Sequence, residues 1–335
     1  MRTRLIAAVV AVLLLAGCSQ AQSPTAATSA SASLPTPTIG LTYIPNVQFS
    51  PFYVAEADGD FTAAGAAPVL RHHGTSEGLF TAIAAGQEQF VVAGGDEVLQ
   101  ARAQGLDLVA VSAYYRGYPV VVIVPADSPI HSLADLKGHS IGLPGKYGES
   151  WFGLQVALRS AGLSESDVQV KEIGYTQQAA LTTKKVDAIV GFSNNDAVQF
   201  DLAGFATRSL PIASGTVPLV GASLVTTSDY AKANPGVVKA VVAGMLAGIR
   251  TTVTDPDHAL TVSTTYVPGL SEAAAQTAAK ATLTATAGLW TTSDGSVDGT
   301  FDAAQWTDMA DFMAAQGLTA QRVDPTPAFT NANVG

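Results

Sequence analysis

One cysteine in 335 residues excludes a disulfide framework and any Cys-x-x-Cys metal site. Charge is scarce at 13% of residues, and basic charge is scarcer still, with 17 Lys and Arg against 27 Asp and Glu. The resulting formal net charge of −10 excludes a general nucleic-acid footprint, so no nucleic-acid partner is expected. The only adjacent histidines are His72 and His73. Neighbours on a strand point to opposite faces, so this pair cannot ligate one metal without a bulge, and neither metal nor cofactor is expected. Ser150, Ser193 and Ser209 lack a Gly-x-Ser-x-Gly setting, and Gly142-Leu-Pro-Gly-Lys146 lacks the spacing of a phosphate-binding P-loop. No catalytic residue is assigned. Apolar residues are abundant, at 47%, which is ample for a packed core and excludes wholesale disorder.

Long hydrophobic runs are also missing. Tyr118–Pro125 and Val237–Ile249 both fall short of the roughly 18–20 apolar residues that span a bilayer. The run Leu5–Leu15 is also too short, follows Arg2 and Arg4, and leads through small residues to Cys18, which is the pattern of a secretory signal. Leu15-Ala16-Gly17-Cys18 resembles the lipobox of bacterial lipoproteins, which implies diacylation of Cys18 after cleavage. Residues 1–18 are therefore expected to be a lipoprotein signal peptide. Residues 19–37 carry no charge and consist almost entirely of Ser, Ala, Thr, Pro and Gln, so they are read as a flexible tether. The expected location is the outer face of the bacterial cytoplasmic membrane, held there by lipid.

From Thr38 onward, short apolar strands alternate with helical patterns. That βαβα order implies an α/β fold with largely parallel sheets. Strands are expected at 38–43, 68–71, 90–93, 108–113 and 118–125, then at 140–143, 168–173, 187–190 and 218–226. Long helices are expected over 51–64, 150–161, 231–250, 271–287 and 302–316, with a polar surface tail after Asp324.

In open parallel sheets, ligands bind beyond the carboxyl ends of the strands. The turns in those places hold Tyr43, Asn46 and Phe52 after the first strand, and Asp96 and Glu97 after the third. Tyr115 follows the fourth strand, and Lys146, Tyr147, Glu149 and Trp151 follow the strand at 140–143. Asn194, Asn195 and Asp196 follow the strand at 187–190, and His73 is placed at the end of the second. Aromatic faces that can sandwich a planar ligand, with amides and carboxylates to read its edges, make a small-molecule pocket the expectation.

Tyr43-Ile-Pro-Asn46 through Phe52-Tyr53-Val-Ala, Ser132-Leu-Ala-Asp-Leu-Lys-Gly138 and Gly191-Phe-Ser-Asn-Asn-Asp196 together resemble the solute-binding proteins of ABC importers. The branch in question includes binders of thiamine pyrimidine precursors, riboflavin, nitrate and alkanesulfonates. The resemblance implies a type II periplasmic-binding-protein fold, with two α/β lobes joined by a hinge and the ligand cleft between them. Lobe 1 would comprise residues 38–122 and 222–335 and lobe 2 residues 123–221, with the hinge near Val121–Ile123 and Gly221–Leu224. It implies a monomer that captures a heteroaromatic vitamin precursor, such as formylaminopyrimidine, for an ABC permease in the membrane. Riboflavin, nitrate or sulfonate are the alternative ligands. The fold also occurs in thiamine pyrimidine synthases, but their cysteine-rich motif is missing from the body of this chain. A ligand-sensing subunit of a membrane receptor is a third role.

Overall fold

The computed structural model describes residues 33–74, 77–213 and 217–334. The expected signal peptide, Cys18 and most of the expected tether lie outside the described residues. Two five-stranded sheets organise the chain. The first holds β1 (Thr38–Leu41), β2 (Val69–His72), β3 (Phe90–Gly94), β4 (Leu108–Ala113) and the late strand β10 (Ala222–Thr227), in the order β2-β1-β3-β10-β4. The second holds β5 (Val120–Pro125), β6 (Ser140–Leu143), β7 (Gln169–Glu172), β8 (Ala188–Phe192) and β9 (Thr207–Pro211), in the order β7-β6-β8-β5-β9. Pairing is parallel except around β10 and β5, each of which runs antiparallel to both its neighbours.

The central strands are buried on both faces, which explains their continuous apolar runs. Alternate residues of β3 and β4 serve two cores. Val91, Ala93, Leu108 and Ala110 face one core, which continues through Val120, Val122 and Leu154 into the second sheet. Phe90, Val92, Val109 and Val111 face the other. A third, smaller core under the second sheet holds Val121, Ile123, Ile189 and Phe200.

The helices that follow β1, β2 and β3 are α1 (Ser50–Ala57) and α2 (Asp60–Ala64), α3 (Thr81–Ala84), and α4 (Gly95–Ala103). Helices α5 (Gly148–Ser160), α6 (Gln177–Thr182) and α7 (Asp196–Leu202) belong to the second sheet. After β10 come α8 (Ser228–Ala233), α9 (Pro235–Thr254), α10 (Pro256–Ser263), α11 (Ala273–Trp290) and α12 (Ala303–Ala315). Several expected helices are divided. The helix expected over 51–64 breaks at Gly59, which adopts a left-handed conformation, and the one over 231–250 breaks before Pro235, whose ring disfavours a helical residue ahead of it. Among the described residues, only α9 is long and apolar enough to cross a membrane, exceeding the run read from sequence. It packs on α1 and α2 and buries Val238, Val241, Met245 and Ile249. The C-terminal segment is docked, where a surface tail was expected. Ala328 is buried, Phe329 stacks on Trp306 at 5.1 Å, and Thr330 N–H bonds to Ala110 O along the edge of β4.

The chain passes between the sheets twice, through the segment between β4 and β5 and again before β10. The hinge expected at Val121–Ile123 and Gly221–Leu224 therefore falls largely inside β5 and β10, and the connections lie just ahead of both strands. These two connections touch. A Cβ on Gly221 would lie 2.3 Å from the Gly117 carbonyl oxygen and 3.0 Å from that of Tyr115. Gly221→Ala must push the connections apart and is expected to destabilise the protein by about 1–3 kcal/mol, as overpacking does. Denaturant unfolding monitored by circular dichroism checks this.

Candidate functional site

A cleft with about 840 Å³ of empty space, part of it open to solvent, lies between the carboxyl ends of the two sets of strands. From the first sheet it is lined by Thr42 and Tyr43 after β1, Val92 and Ala93 of β3, and Tyr114 and Tyr115 after β4. The second sheet contributes Pro144, the Tyr147–Ser150 turn that opens α5, Tyr175 after β7, and Phe192, Asn195 and Asp196 after β8. The two sides meet directly. Tyr43 and Tyr175 pack edge to face with ring centroids 4.4 Å apart, while α4 packs on α5 and α11 on α7.

Seven of the residues expected in the site line this cleft: Tyr43, Glu97, Tyr115, Tyr147, Glu149, Asn195 and Asp196. The other seven stand elsewhere, each with its own partner. Asn46 caps a short 3₁₀ turn by accepting the Gln48 N–H at 2.9 Å, and that turn presents Gln48 and Phe49 to the cleft. Phe52 is fully buried behind the wall, packed on Tyr114 at 5.2 Å. His73 is buried and bonds through Nε2 to Glu88 at 3.0 Å, and Glu88 also holds Arg71. Asp96 lies under the start of α4 with Oδ1 on the Glu97 N–H at 2.9 Å. Lys146 turns outward to Glu165 and stands 5.3 Å over the ring of Trp151, itself packed against the main core. Asn194 is buried and donates through Nδ2 to Thr286 Oγ1 at 2.9 Å.

The lining residues missed in the sequence include Tyr175, Tyr114, Gln48, Phe49 and Leu79. Tyr175 sits just beyond β7, so the strand-end rule that found the others applies to it equally. Leu79 carried no such signal, because it reaches the cleft from the connection between β2 and α3.

The polar character of the cleft is one-sided. Three carboxyl groups, Glu97, Glu149 and Asp196, line it together with five tyrosines, and the described lining contains no Lys, Arg or His. Burial pushes the Asp196 carboxyl up to about 6, although it accepts the Phe192 N–H at 2.8 Å. Burial, then repulsion from Asp196, raises the Tyr43 hydroxyl above its usual range. Among the described residues no group of three His, Cys, Asp or Glu side chains is placed to hold a metal.

Residues 46–259 match the family described as NMT1/THI5 like. This chain belongs to that family. It is 33% identical over 341 residues to the riboflavin-binding protein RibY of Chloroflexus aurantiacus, covering 96% of this chain and 94% of that one. It is 25% identical to a formylaminopyrimidine-binding protein of Halalkalibacterium halodurans, covering 77% of each. The fold matches the alkanesulfonate-binding protein SsuA of Xanthomonas axonopodis pv. citri, solved with MOPS bound, with a TM-score of 0.65 at 22% identity over 89% of this chain and 99% of that one. The fold is thus that of the periplasmic binding proteins, as the sequence resemblance implied.

The raised Asp196 value has a consequence for stability. A carboxyl that titrates higher when folded than unfolded contributes stability that is fully present below its unfolded value and lost as pH rises through its folded value. Between about pH 4 and 6, wild-type protein should lose stability relative to Asp196→Asn, which keeps an acceptor for the Phe192 N–H and does not titrate. Thermal melts of both proteins across that range check this.

Proposed function

We propose that this chain is the exported solute-binding component of an ABC importer and that it captures a neutral, planar heteroaromatic ligand, with riboflavin favoured over a thiamine pyrimidine precursor. The observation that carries the reading is a cleft wall of five tyrosines and three carboxyl groups without a cation among its described residues. Tyrosine faces stack on a flat ring, and carboxylates accept from ring N–H and side-chain hydroxyl groups. Backbone N–H groups at the start of α5, which line the cleft from Gly148 to Ser150, offer donors for ring carbonyls. Phe49, Leu79, Val92 and Phe192 supply an apolar end for a methylated ring.

A sulfonate or nitrate fits poorly, because carboxylates repel an anion and Lys146, the cation next to the Tyr147–Ser150 turn, is paired with Glu165. Riboflavin is favoured over the pyrimidine precursor because the likeness to RibY is higher and extends over almost the whole chain. In this reading lobe 1 comprises 38–122 and 222–335, lobe 2 comprises 123–221, and the lobes close over the ligand. In the same reading the signal-like start leads to a lipid anchor at Cys18, and the protein acts as a monomer that delivers its cargo to a membrane permease. The binding role is preferred to an enzymatic one because the similar proteins named above are binding proteins.

Titration of the purified chain with riboflavin, followed by quenching of flavin fluorescence, tests this directly. Saturable one-to-one binding of riboflavin, with no response to an alkanesulfonate in calorimetry, is expected; the opposite pattern overturns the reading. Tyr147→Ala should weaken riboflavin binding about tenfold, or about 1.4 kcal/mol. Trp151→Ala, which lies off the cleft wall, should change it less than about threefold.

A further inference from the structure

The carboxyl groups of Asp96, Glu97 and Glu149 gather around Gly94, where β3 turns into α4. Gly94 N–H donates to Glu97 Oε2 at 2.9 Å. A Cβ on Gly94 would lie 2.2 Å from Asp96 Oδ1 and 3.3 Å from Glu149 Oε1, so only a glycine lets the three groups come this close. Two of them come from the first sheet and the third, Glu149, from the opposite wall of the cleft. Asp96 Oδ2 and Glu149 Oε1 are buried and lack a hydrogen-bond partner among the described residues. Asn194 is in the same position: it is 3% exposed, Nδ2 is bonded to Thr286, and Oδ1 is orphaned beside Tyr115. All three unpartnered atoms are acceptors, and the O–H groups beside them are those of Tyr118 and Tyr115.

Among the described residues, no positive charge is at hand to balance the cluster. The titratable groups that face it are the hydroxyls of Tyr118 and Tyr115. Arg102 and Arg159, the cations of α4 and α5, sit in the last turns of those helices. Arg116 turns out to Asp298, and α12, which packs on α4, carries Asp308 and Asp311 and no cation. Ionised carboxylates this close together, and out of water, cannot all keep their charge. Burial first, then mutual repulsion, raises Glu97 and Glu149, and burial raises Asp96.

We propose that Asp96, Glu97 and Glu149 hold at least one shared proton at neutral pH, so that Glu149 offers an O–H to an acceptor on the ligand while Glu97 accepts from a ligand donor. The proton comes from solvent and returns to it, and no other bond changes. The site thereby reads a neutral donor–acceptor edge and rejects an anion, and its affinity falls as pH rises and the proton leaves. This rests on the reading of the ligand as a neutral heteroaromatic.

Two measurements keep the inference separate from that reading. Infrared spectra of the ligand-free protein at pH 7 should show a protonated-carboxyl band that fades toward pH 9 and is reduced in Glu149→Gln. If Glu149→Gln does not fold, Glu97→Gln, whose amide oxygen can still accept the Gly94 N–H, serves in its place. If no such band exists, or the variant leaves it unchanged, the inference is overturned whatever the ligand. Riboflavin affinity should fall about tenfold between pH 6.5 and 8.5 in wild type, within the limit of tenfold per pH unit for one linked proton, and less than about twofold in Glu149→Gln. A Kd that does not depend on pH in wild type also overturns it. If riboflavin fails to bind at every pH, the ligand assignment falls and the infrared result alone decides the proton.

Discussion

The backbone contact between Gly221 and Gly117 sets how the rest of the molecule is arranged. Two chain connections run side by side there with no side chain between them, and they fix where the carboxyl ends of both sets of strands point. Those ends meet across one cleft, so turns far apart in sequence supply its walls. The same junction explains why β5 and β10 are the antiparallel members of their sheets. Each is the first strand the chain lays down after crossing over.

The site that results is built by geometry more than by any local motif. Cleft residues come from short turns immediately after strands, and most are held by neighbours that never touch the cleft. Asn46 shapes the turn that carries Gln48 and Phe49, and Phe52 backs Tyr114. Glu88, buried between Arg71 and His73, ties the end of β2 to the connection carrying Leu79, because Arg71 also grips Glu77. The histidine pair thus acts as scaffolding, with His72 held by Tyr53 and the Tyr43 carbonyl, each at 2.9 Å.

Much of the fold was legible in the sequence because the central strands are buried on both faces and read as plain apolar runs. The spans over 108–113 and 140–143 coincide with β4 and β6. Strand β9 was not legible: Thr207-Arg-Ser-Leu-Pro has little apolar content because it is an edge strand, and only Leu210 is buried. Helix boundaries slipped where Gly59 or Pro235 interrupts a pattern that composition alone runs together. In the site, residues that follow strands were found by position, including Tyr43, Tyr115 and Asp196. Asn46, His73, Lys146 and Asn194 share that neighbourhood, but a sequence does not show whether a polar side chain reaches forward into a cleft or back to its own backbone or a nearby partner.

The first sheet is also the last part of the molecule that can be finished. Strand β10 must slot between β3 and β4, more than a hundred residues after them, and the edge of β4 is covered only when Phe329 and Thr330 arrive. A chain growing from a ribosome therefore keeps an open strand edge until Phe329 and Thr330 have emerged. Contacts between residues so distant in sequence form slowly. Until residue 330 is available, the first sheet cannot lock along β4, and the fold is held open at that edge.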